Sequence, residues 1–187
     1  MNALENWFCA TGFWRSLTRN LLLPRMLDGS DLGDSVLEVG AGPGAATAAL
    51  LERFPRVTSL EYRETFAARL AREHPNACVV IGDAAILPFA SASFSCVVSV
   101  LTLHHLQSRE LQDQALHEIV RVLRPGGVFL AFEINDGWLQ RFIHVRSTFV
   151  PVVASAANAR LNAAGFARAS VDFLPGGFLV RARIAGP

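Results

Sequence analysis

The sequence predicts an α/β fold built on a mostly parallel sheet with helices on both faces. Short β-like runs alternate with longer helical patterns from residue 35 to residue 134. Such alternation is typical of parallel strands joined by right-handed crossover connections. The chain then ends in two β runs separated only by Pro175-Gly176-Gly177, which is short enough to require an antiparallel hairpin. We therefore expect a parallel sheet finished by an antiparallel strand.

Each element is predicted from its apolar pattern and its flanking residues. The predicted strands are Ser35–Val39, Val57–Leu60, Cys78–Ile81, Phe94–Leu101, Val128–Ile134, Arg168–Leu174 and Phe178–Ile184. The predicted helices are Ala45–Phe54, Glu64–His74, Arg109–Leu123 and Ser155–Ala164. Ser108 is the expected N-cap of the third helix, and Gly165 is the expected C-cap of the fourth. The fifth strand is apolar on both faces, as a buried central strand should be.

The first 27 residues are predicted to form a separate helical cap. Apolar side chains recur there near helical spacing: Leu4, Trp7, Phe8, Trp14, Leu17 and Leu21. Pro24 is expected to break this run. The stripe fits a helix packed on one edge of the core or a lid over a ligand, in which Trp14 would contact substrate. Arg15, Arg19 and Arg25 leave binding to a membrane surface as a third alternative.

Composition limits the classes of partner. The chain has 187 residues, of which 51% are hydrophobic, so one folded domain is expected and a wholly disordered chain is excluded. The 17 basic and 16 acidic residues give a net charge of +1, which provides no overall field to attract a nucleic acid. The most apolar stretch, Cys96 to Leu106, is too short to span a bilayer. We expect a monomer or homodimer without nucleic-acid partners or stable membrane insertion.

The cysteines indicate the cellular compartment. Cys9, Cys78 and Cys96 are odd in number and far apart, so neither a disulfide framework nor a structural zinc site is expected. Lone thiols fit a reducing cytoplasm, and the N-terminal residues do not have the pattern of a signal peptide. The sequence predicts a cytoplasmic protein with no metal.

The strongest local signal is the segment Val36-Leu-Glu-Val-Gly-Ala-Gly-Pro-Gly44. It runs from an apolar strand through a glycine-rich turn into a helix, whose first N–H groups can face a ligand. Gly40 and Gly42 lack a Cβ, so the backbone can approach that ligand closely. The spacing Gly40-x-Gly42-x-x-Ala45 also satisfies the dinucleotide fingerprint. This segment taken alone therefore also fits a nicotinamide-dependent oxidoreductase.

Two further strand ends carry acidic residues. Glu61 closes the second strand, and a carboxylate there can accept hydrogen bonds from ribose hydroxyls in either ligand class. Asp83 follows the third strand and could accept a hydrogen bond from an adenine amino group, while the Ala84 N–H could donate to a ring nitrogen. Dinucleotide enzymes do not require that acid. Because parallel strand ends meet at one edge of a sheet, these residues predict a site for an adenosyl compound.

With these residues, the sequence resembles the class I S-adenosylmethionine-dependent methyltransferases, in particular the small-molecule group that includes the ubiquinone/menaquinone-biosynthesis C-methyltransferases. The resemblance runs from about Val36 to Ile134. Its motifs are Val36-Leu-Glu-Val-Gly-Ala-Gly-Pro-Gly44, Glu61, Gly82-Asp-Ala84 with Leu87-Pro-Phe89, Phe94-Ser-Cys-Val-Val-Ser99, Leu103-His-His-Leu106 and Arg121-Val-Leu-Arg-Pro-Gly-Gly127. It continues more weakly through Ala163-Ala-Gly-Phe166 and the terminal hairpin, which matches the antiparallel last strand of that family. It implies a Rossmann-like seven-stranded sheet of order 3-2-1-4-5-7-6, and S-adenosyl-L-methionine as cofactor.

The resemblance also implies roles for single residues. The implied cofactor-binding residues are Glu38, Gly40, Ala41, Gly42, Gly44, Glu61, Tyr62, Asp83, Ala84 and Leu101. Within this set, Glu38 would orient the cofactor's amino group, directly or through water, and Tyr62 would pack on the adenine. Leu101 would lie near the methionine end. Glutamate stands at positions 38 and 61, where the family more often has aspartate, which keeps the charge and lengthens the reach.

The acceptor side is less defined. His104, beyond the fourth strand, is the candidate catalytic base that would take a proton from a hydroxyl or a carbon acid; the alternative is local packing. The candidate substrate-binding residues besides Trp14 are His105, Glu133, Trp138 and His144. The aromatic segment Asn135 to Val153 indicates a small lipophilic or aromatic acceptor, unless it only completes the core. No Asn/Asp-Pro-Pro-Tyr run follows the fourth strand, which disfavours DNA or glutamine methylation.

The sequence thus predicts one domain with three parts: a cap over residues 1–27, a cofactor-binding half over residues 28–134, and an acceptor-side segment with the hairpin over residues 135–187. The predicted reaction is transfer of a methyl group by in-line displacement to a small-molecule acceptor. Methylation of a protein or RNA, and non-catalytic binding of S-adenosylmethionine, are the alternatives.

Overall fold

The fold is built on a seven-stranded sheet. The structure is a computed structural model, and it describes residues 9–29, 31–145 and 147–186, except for the side chain of Leu139. The strands are β1 (Ser35–Val39), β2 (Arg56–Glu61), β3 (Cys78–Ile81), β4 (Phe94–Val100), β5 (Leu123–Ile134), β6 (Arg168–Leu174) and β7 (Gly177–Arg183). The α-helices are α1 (Gly12–Leu17), α2 (Leu23–Leu27), α3 (Ala45–Leu51), α4 (Glu64–Glu73), α5 (Arg109–Val122), α6 (Trp138–Ile143) and α7 (Ala154–Ala164).

The strand order confirms the predicted topology. It is β3-β2-β1-β4-β5-β7-β6. Strands β1 to β5 pair in parallel, and β7 runs antiparallel to both β5 and β6. The register sets Leu60 beside Val39 and Glu61 beside Ile81. The carboxyl ends of the first three strands therefore lie side by side, as a Rossmann-like sheet requires.

The central strands are buried on both faces. Along β5, Phe129 and Ala131 belong to the apolar cluster that includes helices α5 and α7. Val128, Leu130 and Phe132 belong to the cluster on the opposite face, with α2 and α3. This alternation follows from the two-residue period of a strand, and it explains why the run is apolar without interruption.

Helix α5 ends at Val122 and the chain enters β5 directly at Leu123, five residues before the predicted start of that strand. The segment Arg124-Pro-Gly-Gly127 was expected only as a helix stop. Gly126 has a φ of +76°, and the pairing with β4 shifts register between Phe94 and Cys96. The irregular bulge lets a proline and two glycines lie within a strand.

The predicted helix caps are confirmed. The Ser108 hydroxyl accepts from the Leu111 N–H at the start of α5, and Gly165 has a left-handed backbone at the end of α7.

The N-terminal segment is helical, but the prediction that Pro24 breaks it is wrong. A π-helical turn over Thr18–Leu22 joins α1 to α2, and the Leu23 N–H donates to the Thr18 carbonyl. Pro24 then lies in the first turn of α2, where its missing N–H is not needed. Leu4, Trp7 and Phe8 lie outside the residues that the structure describes. In the described ranges, no helix is long and apolar enough to cross a membrane.

Candidate active site

A cleft of about 480 Å³ lies at the carboxyl ends of β1 to β4. This volume is within the range of small-molecule sites, about 300–1,000 Å³. The described residues that line it are Gly40, Gly42, Leu60, Glu61, Tyr62, Arg63, Gly82, Asp83, Ala84, Leu101, Thr102, His105, Leu106, Gln107, Leu111 and Thr148. The cleft is therefore lined by seven of the ten predicted cofactor-binding residues: Gly40, Gly42, Glu61, Tyr62, Asp83, Ala84 and Leu101.

The glycine-rich loop after β1 is tied to its neighbours by backbone contacts. The N–H groups of Gly40 and Ala41 both donate to the Leu60 carbonyl, at 2.9 and 3.1 Å. Gly40 has a φ of +76°, and a Cβ placed there would lie 2.3 Å from Cγ2 of Thr102. The Thr102 hydroxyl in turn donates to the Val39 carbonyl at 3.1 Å. Glycine is required at position 40 because Thr102 closes against the loop from the end of β4.

Glu61 connects the loop to the end of β2. Its Oε2 accepts from the Gly42 N–H at 2.8 Å, and its Oε1 accepts from the Arg63 N–H at 2.9 Å. The residue is 6% exposed and lines the cleft. A carboxylate has about four lone-pair positions, so two N–H donors leave acceptor capacity for the two hydroxyls of a ribose. The predicted role of Glu61 fits this geometry.

Asp83 and Ala84 form the next part of the cleft wall. Oδ1 of Asp83 accepts from the Ala85 N–H at 2.8 Å, and its carbonyl accepts from the Ile86 N–H at 3.1 Å. These two bonds fix a tight turn after β3. Tyr62 lies at the rim with 70% of its surface exposed. Both residues line the cleft, and their contact with an adenine ring stays a prediction.

Leu101 stands out by its backbone. It has a φ of +56°, in the left-handed region that costs an ordinary side chain roughly 1–2 kcal/mol. Its N–H donates to the Phe132 carbonyl at 2.9 Å, and its neighbour Thr102 is held by the glycine loop. Strained residues of this kind cluster at functional sites, and Leu101 lines the cleft where β4 ends.

Three predicted cofactor residues are not among the described residues that line the cleft. Glu38 is 2% exposed and accepts from the hydroxyls of Thr47 at 2.6 Å and Ser59 at 2.7 Å. Burial raises the pKa of Glu38, and the two hydroxyl donors oppose that rise. Ala41 and Gly44 are also buried. Glu38 therefore ties β1 to α3 and β2, and a direct contact of Glu38 with the cofactor stays a prediction.

His104 and Glu133 form a buried pair behind the cleft wall. Nδ1 of His104 lies 2.5 Å from Oε2 of Glu133, and the two side chains are 2% and 0% exposed. The other carboxylate oxygen accepts from the N–H groups of Thr102 at 3.2 Å and Leu103 at 2.8 Å. Glu133 therefore holds the turn that follows β4 in place. His105, and not His104, is the histidine that lines the cleft.

The other predicted substrate contacts lie elsewhere. Trp14 is 7% exposed and packs in the core cluster with α2 and α3, whereas Trp138 is 81% exposed on α6. Buried His144 hydrogen-bonds through Nδ1 to the Gln140 carbonyl at 2.7 Å. These three residues, like Glu133, are not among the described residues that line the cleft, and their contact with substrate stays a prediction.

Several lining residues of the cleft were not predicted from the sequence, among them Leu106, Leu111 and Thr148. Leu106 closes the quoted Leu103-His-His-Leu106 motif, and Thr148 lies within the segment assigned to the acceptor. Leu111 could not have been found from sequence, because its place on the apolar stripe of α5 indicates only burial.

The comparisons with known proteins agree with this geometry. Residues 37–131 match the family described as a methyltransferase domain, which covers slightly more than half of the chain. The chain belongs to the class I S-adenosylmethionine-dependent methyltransferases. One relative is a probable S-adenosylmethionine-dependent methyltransferase of Mycolicibacterium smegmatis, 38% identical over 103 residues, or 55% of this chain and 39% of the relative. Another is the ubiquinone/menaquinone biosynthesis C-methyltransferase UbiE of Rubrivivax gelatinosus, 34% identical over 124 residues, or 65% of this chain and 48% of the relative.

This methyltransferase chain spans about half or less of the length of those curated relatives. Among solved structures, it superposes on a SAM-dependent methyltransferase from Aquifex aeolicus with a TM-score of 0.78 at 17% identity, covering 99% of this chain and 100% of the other. At that identity the likeness shows the fold alone. S-adenosylmethionine is the cofactor of the family, and Glu61 and Asp83, the residues predicted to contact its adenosyl part, both line the cleft.

The turn that carries Asp83 is anchored by two residues of α5, which we name the Glu118–Arg121 clamp. Arg121 donates to the carbonyls of Leu87 at 2.9 Å and Phe89 at 2.7 Å. Glu118 accepts from Arg121 at 2.7 Å and from the Leu87 N–H at 2.7 Å. The pKa of Glu118 is lowered, mainly by the bond from Arg121. The methyltransferase thus fixes one side of its cleft from a helix.

We expect the clamp to weaken in acid. The folded-state pKa of Glu118 lies below its unfolded value, so its stabilisation is complete above the unfolded pKa and is lost as pH falls through the folded one. Glu118→Gln should lower the free energy of unfolding by about 1 kcal/mol at neutral pH. Urea denaturation across pH 3–7 of the parent and this variant checks it. A difference between the two that stays constant down to the acid limit would contradict the assignment.

Proposed function

We propose that the chain transfers the methyl group of S-adenosylmethionine to a small, lipophilic or aromatic acceptor. The supporting observation is the mixed lining of the cleft. Gly42, Glu61 and Asp83 follow β1, β2 and β3, and we call them the polar end; Leu101 and Leu106 follow β4 and Leu111 lies in α5, and we call these leucines the apolar end, with His105 and Thr148 as further polar lining residues. A relative named for ubiquinone/menaquinone C-methylation supports a small acceptor with apolar rings.

The polar end would hold the cofactor. Glu61 would accept from the ribose hydroxyls, Asp83 from the adenine amino group, and the Ala84 N–H would donate to the ring. When bound, S-adenosylmethionine supplies an electrophilic methyl group on a sulfonium sulfur. The remaining task of the protein is to hold the acceptor atom in line with the carbon–sulfur bond and to exclude water, and such positioning is worth about 7–11 kcal/mol.

The apolar end would hold the acceptor. Positive charge is lost from sulfur as the methyl group leaves, so a wall of leucines with low polarity suits the step. Leu101, whose backbone is left-handed, would lie near the methionine end of the cofactor. The catalytic-base role of His104 stays a prediction. Its ring is buried against Glu133, whereas His105 presents the imidazole of the cleft wall.

The cofactor assignment is tested by ligand-dependent stability. S-adenosylhomocysteine at about 100 times its Kd should stabilise the protein by about 2.7 kcal/mol, which raises Tm by roughly 5–10 °C for a chain of this size. NAD at the same concentration should have no effect. Absence of any shift with millimolar S-adenosylhomocysteine, or a shift with NAD alone, would remove the basis of the proposal.

The acceptor class is tested by turnover. Release of S-adenosylhomocysteine is measured with one- and two-ring phenols and hydroquinones, with total tRNA, and with a protein lysate, using Glu61→Ala as the inactive control. We expect product only with the small aromatic compounds. Turnover with tRNA or protein and none with the small panel would instead assign the enzyme to macromolecular methylation. Cofactor binding without turnover on any arm would favour a non-catalytic binding protein.

A further inference from the structure

Three histidines come together beside the acceptor end of the cleft. They are His104 and His105, from the short 3-10 turn Leu103–His105, and His144, at the end of α6. We name them the histidine cluster. One ring nitrogen from each lies within 4.8 Å of the others. Among the residues that the structure describes, this is the one group of histidine, cysteine or acidic side chains with such a spacing.

Every ring of the cluster is oriented through its Nδ1. That atom faces Oε2 of Glu133 at 2.5 Å in His104, the carbonyl of Thr148 at 3.1 Å in His105, and the carbonyl of Gln140 at 2.7 Å in His144. Because a neutral imidazole facing an oxygen acceptor carries its proton on that nitrogen, the lone pair of each ring is on Nε2. Metal-binding histidines have this arrangement, with the second nitrogen donating to a carboxylate or a carbonyl.

The cluster is also held by packing. The Phe149 ring stacks on His144 with centroids 4.4 Å apart and meets His104 edge-on at 5.6 Å. His104 and His144 are 2% and 7% exposed. The carboxylate oxygen of Glu133 that does not face His104 is occupied by two backbone donors, which fixes its orientation. The rings are therefore supported on their outer sides before any ligand arrives.

We propose that the histidine cluster is a binding site for a divalent transition-metal ion of the zinc class. Three imidazoles are the ligand set that suits zinc, copper, iron or nickel. Zinc–nitrogen bonds of 2.0–2.1 Å put tetrahedral ligand atoms about 3.3 Å apart, so ring nitrogens that now lie within 4.8 Å of one another would move closer on binding an ion. Three protein ligands leave one position of the ion for water or another ligand. His105 also lines the cleft, so the ion lies one side chain from the acceptor end.

No metal is predicted from the sequence because its cysteines and histidines lack the close spacing of known ligand motifs. His144 follows His105 by 39 positions, and only the fold brings it back to the turn after β4. While an ion is bound to His105, that lone pair cannot also accept a hydrogen bond from the methyl acceptor. The site does not depend on methyl transfer taking place.

Metal titration tests the site. Chelator-treated, tag-free protein is titrated with Zn²⁺ by calorimetry and with Co²⁺ by visible absorption. We expect one equivalent of Zn²⁺ and the absorption bands of four-coordinate cobalt. His144→Phe and His105→Gln should each weaken binding at least 100-fold, since loss of a mere outer-shell partner costs about 10–100-fold. His117→Gln, an exposed histidine on α5, is the matched control and should bind as the parent does.

Two results overturn the proposal: failure of the parent to bind one equivalent of Zn²⁺ at micromolar concentration, or parental affinity in either cluster variant. The affinity of His144→Phe for S-adenosylhomocysteine is measured in parallel and should be unchanged, which shows that the fold is intact. Because this second readout uses a different part of the cleft, failure of the metal site and failure of the proposed cofactor site give different results.

Discussion

Glu61→Ala should abolish tight binding of S-adenosylhomocysteine while leaving the protein folded. Hydrogen bonds to a charged group are worth about 1.5–3 kcal/mol each, so loss of two ribose contacts should raise Kd by roughly 100-fold or more. The Gly42 and Arg63 N–H groups that lose their acceptor border an open cleft, where water can replace it. Isothermal calorimetry measures the affinity, and thermal unfolding of the free protein checks the fold.

Two variants make this result specific. Glu61→Gln retains one oxygen acceptor without the charge, so its affinity should fall between those of the parent and the alanine variant. Glu64→Ala removes an exposed carboxylate three positions further on, in the first turn of α4, and should leave the affinity unchanged. An alanine variant at position 61 that binds as tightly as the parent would refute the ribose assignment.

Glu133→Ala should produce the largest loss of stability in the site. The residue is fully buried and accepts from the N–H groups of Thr102 and Leu103 and from His104. Each buried donor left without an acceptor costs about 1–3 kcal/mol. We therefore expect the free energy of unfolding to fall by about 3–6 kcal/mol, a large part of the 5–15 kcal/mol that a domain has. Guanidinium denaturation measures the change.

The conservative variant separates the hydrogen bonds from the volume of the side chain. Glu133→Gln keeps the shape and one acceptor oxygen, so it should lose distinctly less stability than the alanine variant. The alanine variant should also weaken S-adenosylhomocysteine binding, because the turn it supports carries Thr102, which closes on Gly40. A loss of stability below about 1 kcal/mol would show that water satisfies these donors and that Glu133 does not hold the turn.

The fold and the cofactor end of the cleft could be predicted because their signals are local. Strand–helix alternation specifies a parallel sheet, and such a sheet brings its carboxyl ends to one edge. Glu61 and Asp83 therefore had to lie near the glycine loop, although they are distant in sequence. The prediction that Pro24 breaks the N-terminal helix was wrong because the π-helical turn before it depends on packing against the core. The spacing of apolar residues carries no information on that packing.

The acceptor end could not be predicted in the same way. Its lining depends on how residues 135–153 fold back over the turn after β4, and no local pattern specifies that path. An aromatic residue has the same signature in a core and on a surface: Trp14 is 7% exposed and Trp138 is 81% exposed. For the same reason, His144 could be proposed as a substrate contact from sequence, but its meeting with His104 and His105 could not be foreseen.

The reversed direction of β7 has a practical consequence for measuring these interactions. Gly177 pairs with Ile134 at the edge that bears the cleft, whereas Arg183 pairs with Val128 at the other edge. The Gly126 N–H then bonds to the Ala185 carbonyl, which keeps the last described residues on that far side. A biosensor surface or fluorescent reporter attached after residue 186 would consequently sit away from the ligand entrance, so tethered protein should retain full access for its ligands.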